Sequence, residues 1–177
     1  SNTGLGLAMI PTEAVRISAQ PTMDLTKPMA SVDLTGASLP VDDWLPMTAD
    51  QLAYLCNCGA VATTAEMVGA GAALVHMTSD YAKQRVQFGK PIGQYQGVKH
   101  RLADLYVDLE SYRSLCYYAA WAIDDDPDSL PKAASLAKGY ASDAFAQIGI
   151  DGIGLHGAIG FTAEYDAQLY LKRSKWA

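Results

Sequence analysis

The stretch from Thr48 to Gln84 constrains this chain most. Thr48-Ala49-Asp50-Gln51 opens it as a capping box, in which the threonine hydroxyl and the glutamine side chain each satisfy the other residue's backbone N–H. The residues after this box predict one helix of roughly 35 residues, about 50 Å long at ~1.5 Å per residue. Gly69 and Gly71 weaken that helix locally but permit near contact with a neighbour. Phe88-Gly89-Lys90-Pro91 breaks it.

Three further helices are predicted from apolar periodicity. The second spans about Tyr95 to Ile123, with Leu102, Leu105, Leu109, Tyr112, Cys116, Ala119 and Ile123 as its stripe. Asp124-Asp125-Asp126-Pro127 ends it as a solvated terminus. The third takes Ser129 as N-cap and Pro131 in its first turn, and runs to about Ile153 with Leu136, Tyr140, Ala144 and Ile148 on one face. Residues 154–160 read as a glycine-rich turn, after which Thr162 caps a short fourth helix reaching Arg173. Four striped helices with short connections describe a bundle.

Before the bundle the period changes to two. Leu5, Leu7 and Met9, then Val15 and Ile17, then Ala30, Val32 and Leu34 alternate with small or polar residues, the mark of half-buried strands. About three strands make a poor domain alone, so this portion is expected to be the end of a larger β-structure. The fold class is therefore mainly α: a C-terminal four-helix bundle preceded by a few antiparallel strands of an incomplete β-domain.

Composition excludes several functions. A net charge of -6 over 177 residues disfavours a nucleic-acid partner, and Lys172, Arg173 and Lys175 form too small a basic cluster to reverse that. Cys56, Cys58 and Cys116 have no second Cys/His pair at zinc spacing, so no metal site is expected; they read as buried, inert thiols suited to a reducing, cytoplasmic setting. Ser1-Asn2-Thr3-Gly4 has no basic start or apolar run, so no signal peptide is expected. The Ala/Gly-rich stretch of residues 59–75 carries Glu66 and reads as close helix packing instead of a membrane span.

Two segments are distinctive. The first runs Tyr81-Ala82-Lys83-Gln84-Arg85-Val86-Gln87-Phe88-Gly89-Lys90-Pro91-Ile92-Gly93, followed by Gln96 and His100-Arg101-Leu102-Ala103-Asp104. The second is Leu155-His156-Gly157-Ala158-Ile159-Gly160-Phe161-Thr162-Ala163-Glu164. In this order, with an aliphatic helix pair between them, they resemble the C-terminal half of acyl-CoA dehydrogenases. Residues 1–43, including Met23-Asp24-Leu25-Thr26-Lys27, then stand for the end of that family's middle β-domain, and residues 44–177 for its C-terminal helical bundle. Leu169-Tyr170-Leu171-Lys172-Arg173 is most similar to an actinobacterial branch acting on fatty-acid or steroid CoA thioesters.

The resemblance implies FAD-dependent α,β-dehydrogenation of an acyl-CoA, in which a base takes the α-proton and the β-hydrogen leaves as hydride to the flavin. Glu164 falls where the family's glutamate base is expected; its spacing alone reads instead as an acid favoured in a helix's first turn. Arg85 is implied at an FAD phosphate, commonly across a dimer interface, a role suited to a planar guanidinium. Phe88 would pack near the same cofactor and Gln96 would hydrogen-bond flavin. The turn Gly157, Ala158 and Gly160 would let backbone approach the nucleotide, glycine having no side chain to clash. His100 and His156 read as packing or hydrogen-bonding residues, His76 as a helix-face residue, and Tyr106, Tyr112, Tyr117 and Tyr118 as bundle packing.

Partners implied are the acyl-CoA, electron-transfer flavoprotein or a similar acceptor, and further subunits in a homo- or hetero-oligomeric dimer or tetramer, with the small-residue face of residues 59–73 allowing close approach. Gly154 and Ala158 depart from the family's usual glutamine and glycine, and Asn57 and Ala60 from an Asp and Arg that meet CoA. These departures leave open an alternative, a non-catalytic subunit that completes a partner's flavin site.

Overall fold

The computed structural model describes residues 4–177; Ser1, Asn2 and Thr3, where the expected absence of a signal peptide falls, lie outside it. The chain packs as two compact units, residues 4–56 and Asn57–Ala177, and the division falls inside the first helix.

In the first unit, β1 (Gly6–Ala8) pairs antiparallel with β4 (Trp44–Pro46), and β2 (Arg16–Gln20) with β3 (Met29–Asp33). The expected strands are present, together with β4, whose Trp44-Leu45-Pro46 does not alternate and so carries no period-two signal. The expectation that they are half-buried is corrected: β2 and β3 are exposed at every position. A two-stranded ribbon has no second layer within the chain to cover either face. Asp24 is the exception to this openness. Its buried carboxylate accepts from the Thr26 N–H at 2.9 Å and the Thr26 hydroxyl at 2.6 Å.

The capping box forms as expected. The Thr48 N–H donates to Gln51 Oε1 at 2.9 Å and the Gln51 N–H to Thr48 Oγ1 at 3.2 Å, and α1 runs from Ala49 to Gln84. By length and composition α1 would also span a membrane, with a mean hydropathy of 1.4 over its most apolar window. Here Met67, Leu74 and Val75 instead enter a core with Leu105, Leu109, Tyr112, Phe145 and Ile148. Those partners come from α2 (Gln96–Asp124) and α3 (Leu130–His156).

Two glycines set how closely the helices meet. A Cβ at Gly71 would collide with the hydroxyl of Tyr112, itself donating to the Met67 carbonyl at 3.2 Å. A Cβ at Gly152 would stand 2.8 Å from Leu74 Cδ2. Toward the other end, Val61, Leu130, Ala119, Ala122, Ala133, Ala134 and Ala137 form a second cluster, mostly of small side chains. Polar ties complete the bundle: Arg101 pairs with Asp151 between α2 and α3, and Arg173 with Glu66 between α4 (Ala167–Trp176) and α1.

Several expectations about faces are corrected. On α3 the buried row is Ala133, Ala137, Ala141, Phe145 and Ile148, while Leu136 and Tyr140 are 49% and 42% exposed. At about 100° per residue, Leu136 and Tyr140 stand about 120° and 80° around the helix from Ile148, whereas the buried row stays within about 60° of it. Tyr112 packs the bundle, but Tyr106, Tyr117 and Tyr118 are exposed. Cys116 is buried, whereas Cys56 is exposed and Cys58 half-buried. Ser129 sits at the N-cap of α3 without a side-chain cap bond.

Gly71→Ala is expected to lower the unfolding free energy by about 1–3 kcal/mol through overpacking. Removing the obstructing hydroxyl in Gly71→Ala/Tyr112→Phe should recover part of that loss. Urea unfolding midpoints of the two variants check this; equal losses would mean that the collision is not the cause.

Candidate functional site

Past Gln84 the chain reverses in a hairpin of β5 (Val86–Gln87) and β6 (Lys90–Pro91). Its two central residues, Phe88 and Gly89, have φ of 53° and 82°, as a tight two-residue turn between strands requires. Glycine adopts this at no steric cost, but phenylalanine does so only under strain. The strained residue is also 94% exposed. Its ring meets Tyr95 edge-on, with centroids 6.5 Å apart. The Tyr95 hydroxyl donates to the Gln87 carbonyl at 3.0 Å, and the Lys90 ammonium lies 4.4 Å above the Tyr95 ring. Arg85 precedes the hairpin, and the Ile92 N–H beyond the hairpin donates back to the Arg85 carbonyl at 2.8 Å. Gln96 opens α2. Arg85, Phe88 and Gln96 are all exposed, on one short braced segment.

The second segment forms at the end of α3. That helix continues through Gly154 to His156, beyond the expected stop near Ile153, so the glycine-rich stretch is partly helical. Gly157 then takes φ 66° and ψ -146°, and its N–H closes onto the carbonyls of Ile153 and Gly154, a positive-φ conformation that glycine reaches without steric cost. A 3-10 turn over Gly157–Phe161 comes next. Gly160 is buried, where a Cβ would lie 3.0 Å from that of His156. Gly157 and Ala158 are exposed. Thr162 does not cap the last helix: its hydroxyl donates to the Ile159 carbonyl at 2.9 Å, closing the 3-10 turn, and Asp166 occupies the N-cap. Glu164 lies between these on an exposed turn, not in a first helical turn.

Three aromatic side chains join the two segments. Tyr81 on α1, four residues before Arg85, packs on His156 with ring centroids 4.6 Å apart. His156 packs on Tyr165, the neighbour of Glu164, at 4.9 Å, and Tyr81 meets Tyr165 at 6.2 Å. His156 is 3% exposed, and its Nδ1 lies 2.6 Å from the Gly152 carbonyl. Burial pushes its pKa below the ordinary imidazole value, against the opposing pull of that carbonyl. Burial likewise pushes the Tyr165 hydroxyl up.

The elements carrying all the expected site residues therefore meet at one end of the helical unit. The fold does not bury Arg85 or Glu164. A groove of about 440 Å³ between α1 and α2, lined by Val75, His76, Leu102, Tyr106 and Arg113 among others, includes none of the expected residues. His156 packs and bonds as expected. His100 is exposed, which corrects the packing alternative of its packing-or-hydrogen-bonding reading, and His76 lies on the helix face 3.3 Å from Asp80. Tyr81 opens the first distinctive segment and Tyr165 follows the second, yet neither carries an expected role. Each stands beside a distinctive residue, but nothing in a tyrosine's sequence position shows that it meets another segment.

A family profile described as "Acyl-CoA dehydrogenase, C-terminal domain" matches residues 51–177. The chain belongs to the acyl-CoA dehydrogenase family. It is 38% identical over 155 residues to acyl-CoA dehydrogenase IpdE2 of Mycolicibacterium smegmatis, an actinobacterial member, an overlap of 88% of this chain and 45% of that relative. A solved structure called an FAD-dependent dehydrogenase superposes with a TM-score of 0.89 at 29% identity, over 97% of this chain and 48% of the other. A chain of the ChsE4-ChsE5 complex from Mycobacterium tuberculosis superposes at 0.84 and 27%, over 92% and 43%. The chain thus spans about half the length of the relatives it matches.

Phe88→Asn should leave the unfolding midpoint unchanged or raise it, since relief of the left-handed strain, about 1 kcal/mol, offsets the lost edge contact with Tyr95. A midpoint lowered by more than about 1 kcal/mol equivalent would show that the exposed ring is a structural anchor.

Proposed function

We propose that this chain is the flavin-holding C-terminal half of an enzyme that introduces an α,β double bond into an acyl-CoA thioester. The observation that carries this reading is the Tyr81–His156–Tyr165 contact, which joins the Arg85 hairpin to the Gly157–Glu164 turn. The donor set fits an anionic, aromatic dinucleotide. Arg85 offers a guanidinium for a phosphate, Phe88 a bare ring for packing, and Gln96 an amide for a ring edge, all exposed on one braced segment. At the turn, the exposed backbone at Gly157 and Ala158 leaves room for close approach; the Gly157 N–H itself is already engaged in closing α3.

When bound, FAD would supply the two-electron acceptor for the β-hydride. This chain's residues would bind and orient it, and Glu164 would receive the α-proton on a carboxylate oxygen. A base for so weak an acid acts in a water-poor pocket within hydrogen-bond reach. Glu164 is exposed, so this role requires cover from a second subunit or another part of the protein. Assembly has a candidate surface on α1, where Gly59 and Gly69 are exposed with nothing near the position of a Cβ. An electron-transfer flavoprotein or similar acceptor would reoxidise the flavin.

The same exposure favours a second reading, in which the chain lends Arg85 and Gln96 to a partner's flavin and turns over nothing itself. The ChsE4-ChsE5 structure, a complex of two differently named chains, is a precedent for such assembly.

An absorbance spectrum of the intact gene product with any co-purifying chain should show bound flavin, bleached by an acyl-CoA from a panel of fatty and steroid thioesters. Arg85→Met should weaken FAD binding by at least tenfold, about 1.4 kcal/mol for one lost charge-assisted contact. Glu164→Gln should lower kcat by ~10²-fold or more with flavin retained. Full activity in that variant would remove Glu164 from the chemistry and select the second reading; colourless protein at saturating FAD would end both.

A further inference from the structure

We propose that His156 is a positioning residue: as a neutral imidazole between Tyr81 and Tyr165 it holds the end of α1 in register with the Gly157–Phe161 turn, and protonation releases that hold. The geometry fixes its tautomer. Nδ1 faces the Gly152 carbonyl at 2.6 Å. A carbonyl can only accept, so Nδ1 carries the proton and Nε2 a bare lone pair. Nε2 is buried and has no hydrogen-bond partner among the described residues. A neutral ring tolerates this, because its Nε2 is only an unused acceptor. A protonated ring would place an N–H donor and a full charge where nothing accepts either, which is costly in a buried site.

The surroundings supply no compensation. From α1 His156 meets Tyr81, whose neighbours Asp80 and Lys83 pair with each other at 2.9 Å. From the turn before α4 it meets Tyr165, flanked by the exposed Glu164 and Asp166. From its own helix it meets the Gly152 carbonyl, and from the 3-10 turn the tight backbone at Gly160. No carboxylate acts on its titration; the two influences are burial, which dominates, and the Gly152 carbonyl. The released form therefore takes up the proton first. The joint has its full stability above the ordinary imidazole value of 6.5 and loses it as pH falls below that value toward the lowered value of the closed form. The joint itself is independent of the cofactor reading; that its release would also loosen the nucleotide site rests on that reading.

Hydrogen exchange of the intact gene product, corrected for intrinsic pH dependence, tests this. Residues 78–90 and 152–166 should exchange faster by up to about tenfold per pH unit below 6.5, until the lowered value is crossed. His156→Phe, which keeps a ring and cannot titrate, should remove that dependence, as should His156→Gln. Imidazole 15N shifts of the unsubstituted protein should report the Nδ1–H tautomer and a midpoint below 6.5. The same pH dependence in both variants, or titration of His156 at or above 6.5, would overturn the proposal. FAD release is followed in the same samples by flavin fluorescence. pH-dependent exchange in protein that takes up no FAD would sink the flavin reading alone, and flat exchange in flavin-loaded protein would sink the His156 proposal alone.

Discussion

The seating of α1 on its neighbours governs the helical unit. Gly71 lets the Tyr112 hydroxyl reach the Met67 carbonyl, and Gly152 lets Leu74 lie against the α3 backbone. Both contacts are possible only where a side chain is missing, so they fix the rotation and height of a 36-residue helix along its partners. A helix that long acts as a lever: its far end is placed by contacts made near its middle. Tyr81 arrives beside His156, and Arg85 beyond it, because of where Gly71 sits.

The packing is uneven along the bundle. One half buries large side chains, with Tyr112, Phe145, Met67 and Leu74 almost without exposure, and the other is lined mainly by alanine. Large side chains supply apolar area and directional contacts, so that half specifies the arrangement. Small ones allow helices to approach but discriminate little between rotations. The candidate site extends from the large-residue half, where Ile148 and Ile153 lead directly into His156 and the 3-10 turn. A site that needs several segments held in register gains from being built beside the better-specified core.

The exposed parts obey a different logic. Phe88 is held in a left-handed conformation with its ring in solvent, and β2 and β3 are open on both faces. Strain retained without compensating burial is a frequent mark of a functional position. Family membership, established over residues 51–177, gives the exposed ring a context. It belongs to a segment whose relatives include an acyl-CoA dehydrogenase and a structure called an FAD-dependent dehydrogenase, and the chain spans only about half of their length.

Local chemistry sufficed for much of this. The capping box placed the start of α1 within a residue, the Phe88–Pro91 stretch placed its end, and Pro131 marked the first turn of α3. Capping and breaking act within a few residues and are visible wherever those residues stand. The two motifs were equally legible, because their side chains are named in the chain. Anything that depends on rotation or on distant partners was not. Leu136 and Tyr140 face outward although they look apolar, since packing alone selects which arc of the helix is buried. Thr162 closed a 3-10 turn instead of capping a helix: its N–H and its hydroxyl both donate to the Ile159 carbonyl, and the N-cap of α4 falls at Asp166. The meeting of Tyr81, His156 and Tyr165 joins three separate stretches of chain, and ring against ring at 4.6 to 6.2 Å is a consequence of how the helices cross. The ends of α1, and which residues are candidates for the chemistry, were therefore legible in the order of neighbouring residues. Which faces are buried and which segments converge was settled in three dimensions, because those outcomes depend on the summed packing of residues far apart in the chain.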